Sequence, residues 1–207
     1  SDLSGAVQAP GGQVALFSQP NALQRIAELL MSPAHAAVLG LSSVPDGTQV
    51  ELGRINSAGA YSRLATANTS GGRYSFNLTS LGIDFSADLV VRVVGTAVQM
   101  RAFVIRETVD IDPLSEASIR MVLDQIASSG ALLNNFSLQE LRDLTGGLEL
   151  LTAQAVAGPT IEASVTAIRQ SATANAGILA FLVSASGAGQ TNVGPGDIGN
   201  YYPLTQG

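Results

Sequence analysis

The sequence contains no cysteine, no lysine and no tryptophan, and its only histidine is His35. Without cysteine there is no thiol nucleophile, no disulfide, no zinc ribbon and no iron–sulfur ligation. Without lysine, Schiff-base chemistry, a phosphate-loop lysine and a Ser-Lys dyad are excluded. One imidazole leaves a triad or metal site little to work with. Aromatic residues make up 5% and charged residues 13% of the chain, and ten Arg stand against sixteen acids, for a net charge of −6. That balance argues against a nucleic-acid partner, because phosphate neutralisation needs a basic face. Long apolar runs are missing too. The best, Ile178 to Val183, is far short of the ~18–20 residues of a membrane span. Ser1-Asp2-Leu3 opens directly into strand-like sequence without a signal-peptide pattern, as a mature exported chain also does.

What is present is small and apolar. The 207 residues are 46% hydrophobic and include 22 Gly and 29 Ala. This length gives one or two domains with a sizeable core. In the first half, Val50 and Leu52 alternate with polar neighbours, as do Tyr74, Phe76 and Leu78, a period of two that indicates half-buried strands. Leu89–Val94 and Met100–Ile105 are nearly continuous apolar runs that suit core strands. Pro45-Asp46-Gly47, Ser70-Gly71-Gly72 and Gly95-Thr96 punctuate them as turns. The spacing predicts an antiparallel sandwich over residues 1–112, with Leu3–Ala9 as an edge strand. Leu23, Ile26 and Leu30, between Asn21 and Pro33, predict an inserted helix near 20–32.

The pattern changes at Asp112-Pro113, which reads as an N-cap followed by proline at the first helical position. Ile119, Val122, Leu123 and Ile126 then share one helical face. Ser137 and Glu140 have capping-box spacing ahead of Leu141, Leu144, Leu148 and Leu151, with Gly146-Gly147 as a candidate break. Pro159 opens a stretch whose apolar positions predict one long helix, about 160–185. The fold expectation is therefore α+β: a small antiparallel β-sandwich of transthyretin or immunoglobulin type, then about three helices over 113–186. A Gly-rich tail or linker follows over 187–207.

Leu3-Ser4-Gly5-Ala6-Val7, Val44-Pro45-Asp46-Gly47-Thr48-Gln49-Val50-Glu51-Leu52, and Ala65-Thr66 with Ser70-Gly71-Gly72-Arg73-Tyr74-Ser75-Phe76 carry a resemblance. Together they resemble the carboxypeptidase regulatory-like (transthyretin-like) β-sandwich family, over about residues 1–112. The chain departs from that family by some 30 inserted residues after the first strand, and the helices from Pro113 onward have no counterpart in it. The resemblance implies a non-catalytic module of an exported bacterial protein, at the cell surface or secreted, with room for a lipid anchor on a longer precursor. Asn200-Tyr201-Tyr202-Pro203-Leu204-Thr205-Gln206-Gly207 is similar to the opening of another bacterial lipoprotein β-domain.

Several motifs bear on chemistry. Gly194-Pro195-Gly196-Asp197-Ile198-Gly199 has the text of a dinucleotide loop but neither the preceding strand nor the following helix, and reads as linker. Asp110, Asp112 and Glu116 are the weak candidates for a hard cation. A structural account competes, with Asp112 as a cap and Asp110 paired to Arg106 or Arg101. His35 reads as a surface or locally bonded histidine, and no G-x-S-x-G elbow accompanies it. Asn68, Asn77 and Asn135 begin glycosylation sequons that matter only in a eukaryotic secretory route. No cofactor and no catalysis are expected. The leading expectation is a structural or interaction module, self-associating or bound to a protein partner, with Tyr201, Tyr202 and Leu204 as assembly anchors and a filament or matrix as one form of assembly. The alternative is a glycan- or peptide-binding module that uses the tyrosines Tyr61, Tyr74, Tyr201 and Tyr202.

Overall fold

The computed structural model describes residues 1–12, 40–96, 98–152 and 158–187. The helix expected near 20–32, His35, and the tail beyond Gly187 with Tyr201, Tyr202 and Leu204 lie outside the described residues. Those described form an α+β fold, strands first and helices after. The strands are β1 (Asp2–Ala6), β2 (Gln8–Pro10), β3 (Leu41–Ser43), β4 (Gln49–Ile55), β5 (Tyr61–Asn68), β6 (Arg73–Asn77), β7 (Leu89–Val93) and β8 (Arg101–Phe103). A one-turn helix, α1 (Leu78–Leu81), interrupts them. Four longer helices follow: α2 (Pro113–Ser129), α3 (Leu138–Thr152), α4 (Ile161–Thr173) and α5 (Ala176–Ala185).

All strand pairs between these elements are antiparallel. One sheet has the order β5-β4-β7-β8; β1 pairs with β6 and β2 with β3. Val50 and Leu52 of β4, Leu3 of β1, Phe76 of β6, and Leu89 and Val91 of β7 are buried together. The same core continues into the helices through Ile119, Val122, Leu141, Val165 and Ile168.

Leu3–Ala9 is not the open edge that the sequence suggested. β1 pairs with β6 on one side and on the other takes a parallel run of backbone hydrogen bonds from residues 107–111. Ser4 N–H donates to Glu107 O at 2.8 Å, Val109 N–H to Ser4 O at 2.8 Å and Ile111 N–H to Ala6 O at 2.9 Å. Gly5 makes this possible, because a Cβ there would lie 1.7 Å from Val109 O. Tyr74, opposite Gly5 in β6, uses the same space and donates its hydroxyl to Val109 O at 2.6 Å.

The helix boundaries follow local chemistry with two corrections. Asp112 caps α2, with its carboxylate accepting from Ser115 N–H at 2.8 Å and the Ser115 hydroxyl accepting from Asp112 N–H at 3.0 Å. Ser137 and Glu140 close the anticipated box on α3. Gly146-Gly147 does not break α3, since the buried Leu141, Leu144 and Leu148 hold that helix in place against the ~1 kcal/mol that each glycine costs relative to alanine. The long helix expected over 160–185 is two helices, so the described residues from Pro113 onward hold four long helices where about three were expected. Asn175 divides it by accepting Ile178 N–H at 3.1 Å and capping α5.

Candidate interaction surfaces and the carboxylate cluster

The three carboxylates weighed as cation ligands each have a separate partner. Asp110 accepts Ala6 N–H at 2.8 Å, which ties β1 to the run before α2, and it pairs with neither Arg106 nor Arg101 as the sequence reading had it. Arg106 instead donates to Thr108 O at 3.1 Å and lies 4.0 Å from Glu149. Asp112 is the helix cap. Burial pushes its carboxyl up to about 6, against the opposing effect of the Ser115 N–H and with the help of the nearby Asp110 charge. Among the described residues no group of three or more His, Asp or Glu is placed to hold a metal ion.

Glu116 is the centre of the junction between strands and helices. It is 0% exposed and sits in the first turn of α2, beside β8. Its Oε1 accepts from Arg101 Nη2 at 2.7 Å and from Arg120 Nε at 3.0 Å; its Oε2 accepts from Arg101 Nε at 2.9 Å. Oε2 also accepts the Arg101 backbone N–H at 3.0 Å, while the Ser115 hydroxyl donates to Arg101 O at 2.8 Å. The outward-facing N–H and C=O of Arg101 are thus both taken by α2, so β8 offers no free backbone at this point. Arg120 passes the network on to α4 through two 2.9 Å bonds to Glu162, whose carboxyl they hold below its ordinary range. Arg169 of α4 pairs with Asp124 of α2 nearby. A buried carboxylate with this many donors is fixed in orientation, and its role is attachment. The sequence placed Glu116 one turn into the helix, but its pairing with Arg101 depends on tertiary structure that no local signal encodes.

A second cluster covers β4. The Tyr61 ring lies over Gly53, where a Cβ would be 2.4 Å from Tyr61 Cζ. The Arg92 guanidinium stacks 3.7 Å above that ring and also pairs with Glu51 at 2.8 Å. Burial raises the Tyr61 hydroxyl to about 12, against the Arg92 charge, and among the described residues the hydroxyl has no hydrogen-bond partner. Tyr74 is buried with its hydroxyl on Val109 O, and burial raises it as well. The Tyr61 ring is thus covered by Arg92 and Gly53, and the Tyr74 ring is buried beside Phe76. At the far side of the helices a groove of about 470 Å³ runs between α3 and α5, lined by Leu144, Leu150, Leu151, Ile178 and Phe181 with Asp143 at its rim. Leu150 there is 84% exposed. No helix among the described residues is long and apolar enough to cross a membrane.

Comparisons with protein families, curated proteins and solved structures return no match to this chain.

Proposed function

We propose that the chain is a non-catalytic structural or interaction module of a bacterial cell-surface or secreted protein. In this reading the strands form a transthyretin-like β-sandwich and the helices are fastened to it as one rigid body. The observation that carries the proposal is the use made of Glu116. A buried carboxylate is the kind of group an enzyme retunes for acid–base work, and here both of its oxygens are held by Arg101 and Arg120. Asp110, Asp112 and Glu51 are similarly committed to backbone or arginine partners. The apolar groove between α3 and α5 and the outer edge of β5 suit contact with other chains.

The test is location. An epitope-tagged copy expressed from its own gene in the source bacterium should be degraded by protease added to intact cells, with a cytosolic marker left whole. A tag that survives and fractionates with the cytosolic marker would overturn the proposal.

A further inference from the structure

The four-stranded sheet has two unlike edges. At β8 the helix α2 takes up the outward N–H and C=O of Arg101. At β5, eight residues long, among the described residues only β4 pairs with the strand. The alternation of its backbone is set at one end. Thr69 N–H donates to Thr48 O, while Gln49 O accepts Val94 N–H on the opposite side of β4. Ala65 and Ala67, opposite Leu52 and Val50, therefore face β4, and Thr66 and Asn68 present their N–H and C=O outward. Ser62, Thr66 and Asn68 are exposed and uncharged, and Leu64 is 43% exposed beside them.

We propose that β5 is a self-association edge, at which two copies of this chain pair antiparallel about a two-fold axis at Thr66 and join their sheets into one of eight strands. The strand is complementary to itself in this register. Thr66 meets Thr66 of the second copy, a favourable cross-strand pair, and Ala65 meets its Ala67. The one charge on the strand, Arg63, falls at opposite ends of the paired stretch in the two copies, so like charges do not oppose. With the far edge closed by α2, the sheet grows by one step and stops. The product is a closed dimer and not a filament of stacked sheets. A single strand pair buries less than the ~1,200 Å² typical of stable specific interfaces, so the dimer is weak and reversible. The inference deepens the interaction-module reading by naming a partner. Its test reads assembly and not location, so either can fail while the other stands.

The full chain is followed by sedimentation equilibrium across roughly a hundredfold range of micromolar concentration. The mass should rise from one chain to two and no further. Thr66→Pro removes the outward N–H at the axis without touching the β4 ladder. It should abolish the dimer and leave the melting temperature of the dilute protein unchanged. Thr66→Glu and Thr66→Arg should each weaken self-association about tenfold or more, and an equimolar mixture of the two should restore a dimer. Wild type that stays monomeric throughout, association indifferent to all three substitutions, or growth beyond two chains would overturn the proposal. So would β5 amides already protected from hydrogen exchange in dilute monomer, since another segment of the same chain would then occupy the edge.

Discussion

The two edges of the four-stranded sheet solve the same problem differently. Both present backbone that must find a partner or water. At β8 the answer is intramolecular: Ser115 and Glu116, in the first turn of α2, bond the Arg101 backbone, and the Arg101 side chain bonds Glu116 in return. At β5 no described residue does this, and its charge pair is loose, with Arg63 3.4 Å from Glu51 and 63% exposed. The lesson is one of placement. A helix that begins on an edge strand can close it with two side chains of its first turn, and Asp112-Pro113 begins this helix at that spot. An edge far from any helix start keeps its hydrogen-bonding capacity for something else.

The largest effect should come from opening the closed edge. Glu116→Ala takes the carboxylate partner from Arg101, whose side chain is 9% exposed, and leaves Arg120 to Glu162. Breaking one member of a buried ion network costs about 3–5 kcal/mol. Chemical denaturation should show that loss, and hydrogen exchange should show the Arg101 amide released. A loss below about 1 kcal/mol would mean that the edge is closed by packing alone.

Next is the cap that starts α2. Asp112 has an ordinary value near 3.8 and is held near 6 in the folded chain. Between those values the folded state binds more protons than the unfolded one, so the Asp112 contribution to stability is complete below about pH 4 and is lost as pH rises through 6. Glu162, whose carboxyl Arg120 holds low, acts with the opposite sign and loses its contribution as pH falls. Asp88 does likewise: burial works against its charge, but hydrogen bonds from Ser86 and Arg54 hold it low. Asp112→Asn keeps an oxygen for the Ser115 N–H and removes the titration. Its melting temperature should decline less than that of wild type between pH 4 and 6. Superimposable profiles would remove Asp112 as the source of that slope.

That cap also shows what was legible in advance. Asp112-Pro113 and the Ser137–Glu140 box were readable because capping is a contact among residues three apart. Phe76 and Val91 were readable as core because a strand advertises burial through its alternation or its apolar run. The division of the last long helix at Asn175 was not, since the apolar spacing from Ile161 to Leu182 runs through it unbroken. Asparagine interrupts the backbone by capping, not by changing that pattern. The second partner of β1 was hidden for another reason. Residues 107–111 pair with it in parallel across some hundred positions, and nothing local distinguishes an edge from a strand with a distant neighbour. The candidate site divides along the same line, with the Asp112 role local and the roles of Asp110 and Glu116 set by tertiary contacts.

The neighbourhood of β1 gives a smaller effect than either change at α2. Tyr74→Phe deletes one buried hydroxyl and leaves Val109 O with the space above Gly5 and no donor from that ring. The cost should be about 1 kcal/mol, and up to ~3 kcal/mol if the carbonyl stays dry. A melt indistinguishable from wild type would indicate that water enters between β1 and residues 107–111.

The smallest effect belongs to the open edge, and it sets the scale of the contrast. Arg63 and Arg101 are both strand arginines facing a buried glutamate on a neighbouring element, Glu51 and Glu116 respectively. Their surroundings separate them. Arg101 donates to both oxygens of its partner at 2.7 and 2.9 Å from within the core. Arg63 makes one long contact in solvent, and Glu51 is already held by Arg92 at 2.8 Å. Removing Arg63 therefore leaves no uncompensated charge behind. An exposed pair of this kind contributes between about 0 and 1 kcal/mol and less in high salt, because water and ions screen it. Arg63→Ala should shift the denaturation free energy of dilute protein by no more than about 0.5 kcal/mol, while Arg101→Ala should approach the Glu116→Ala loss. Equal losses for the two arginines would erase the distinction between the edges, for the β5 side would then be as tightly held as the β8 side.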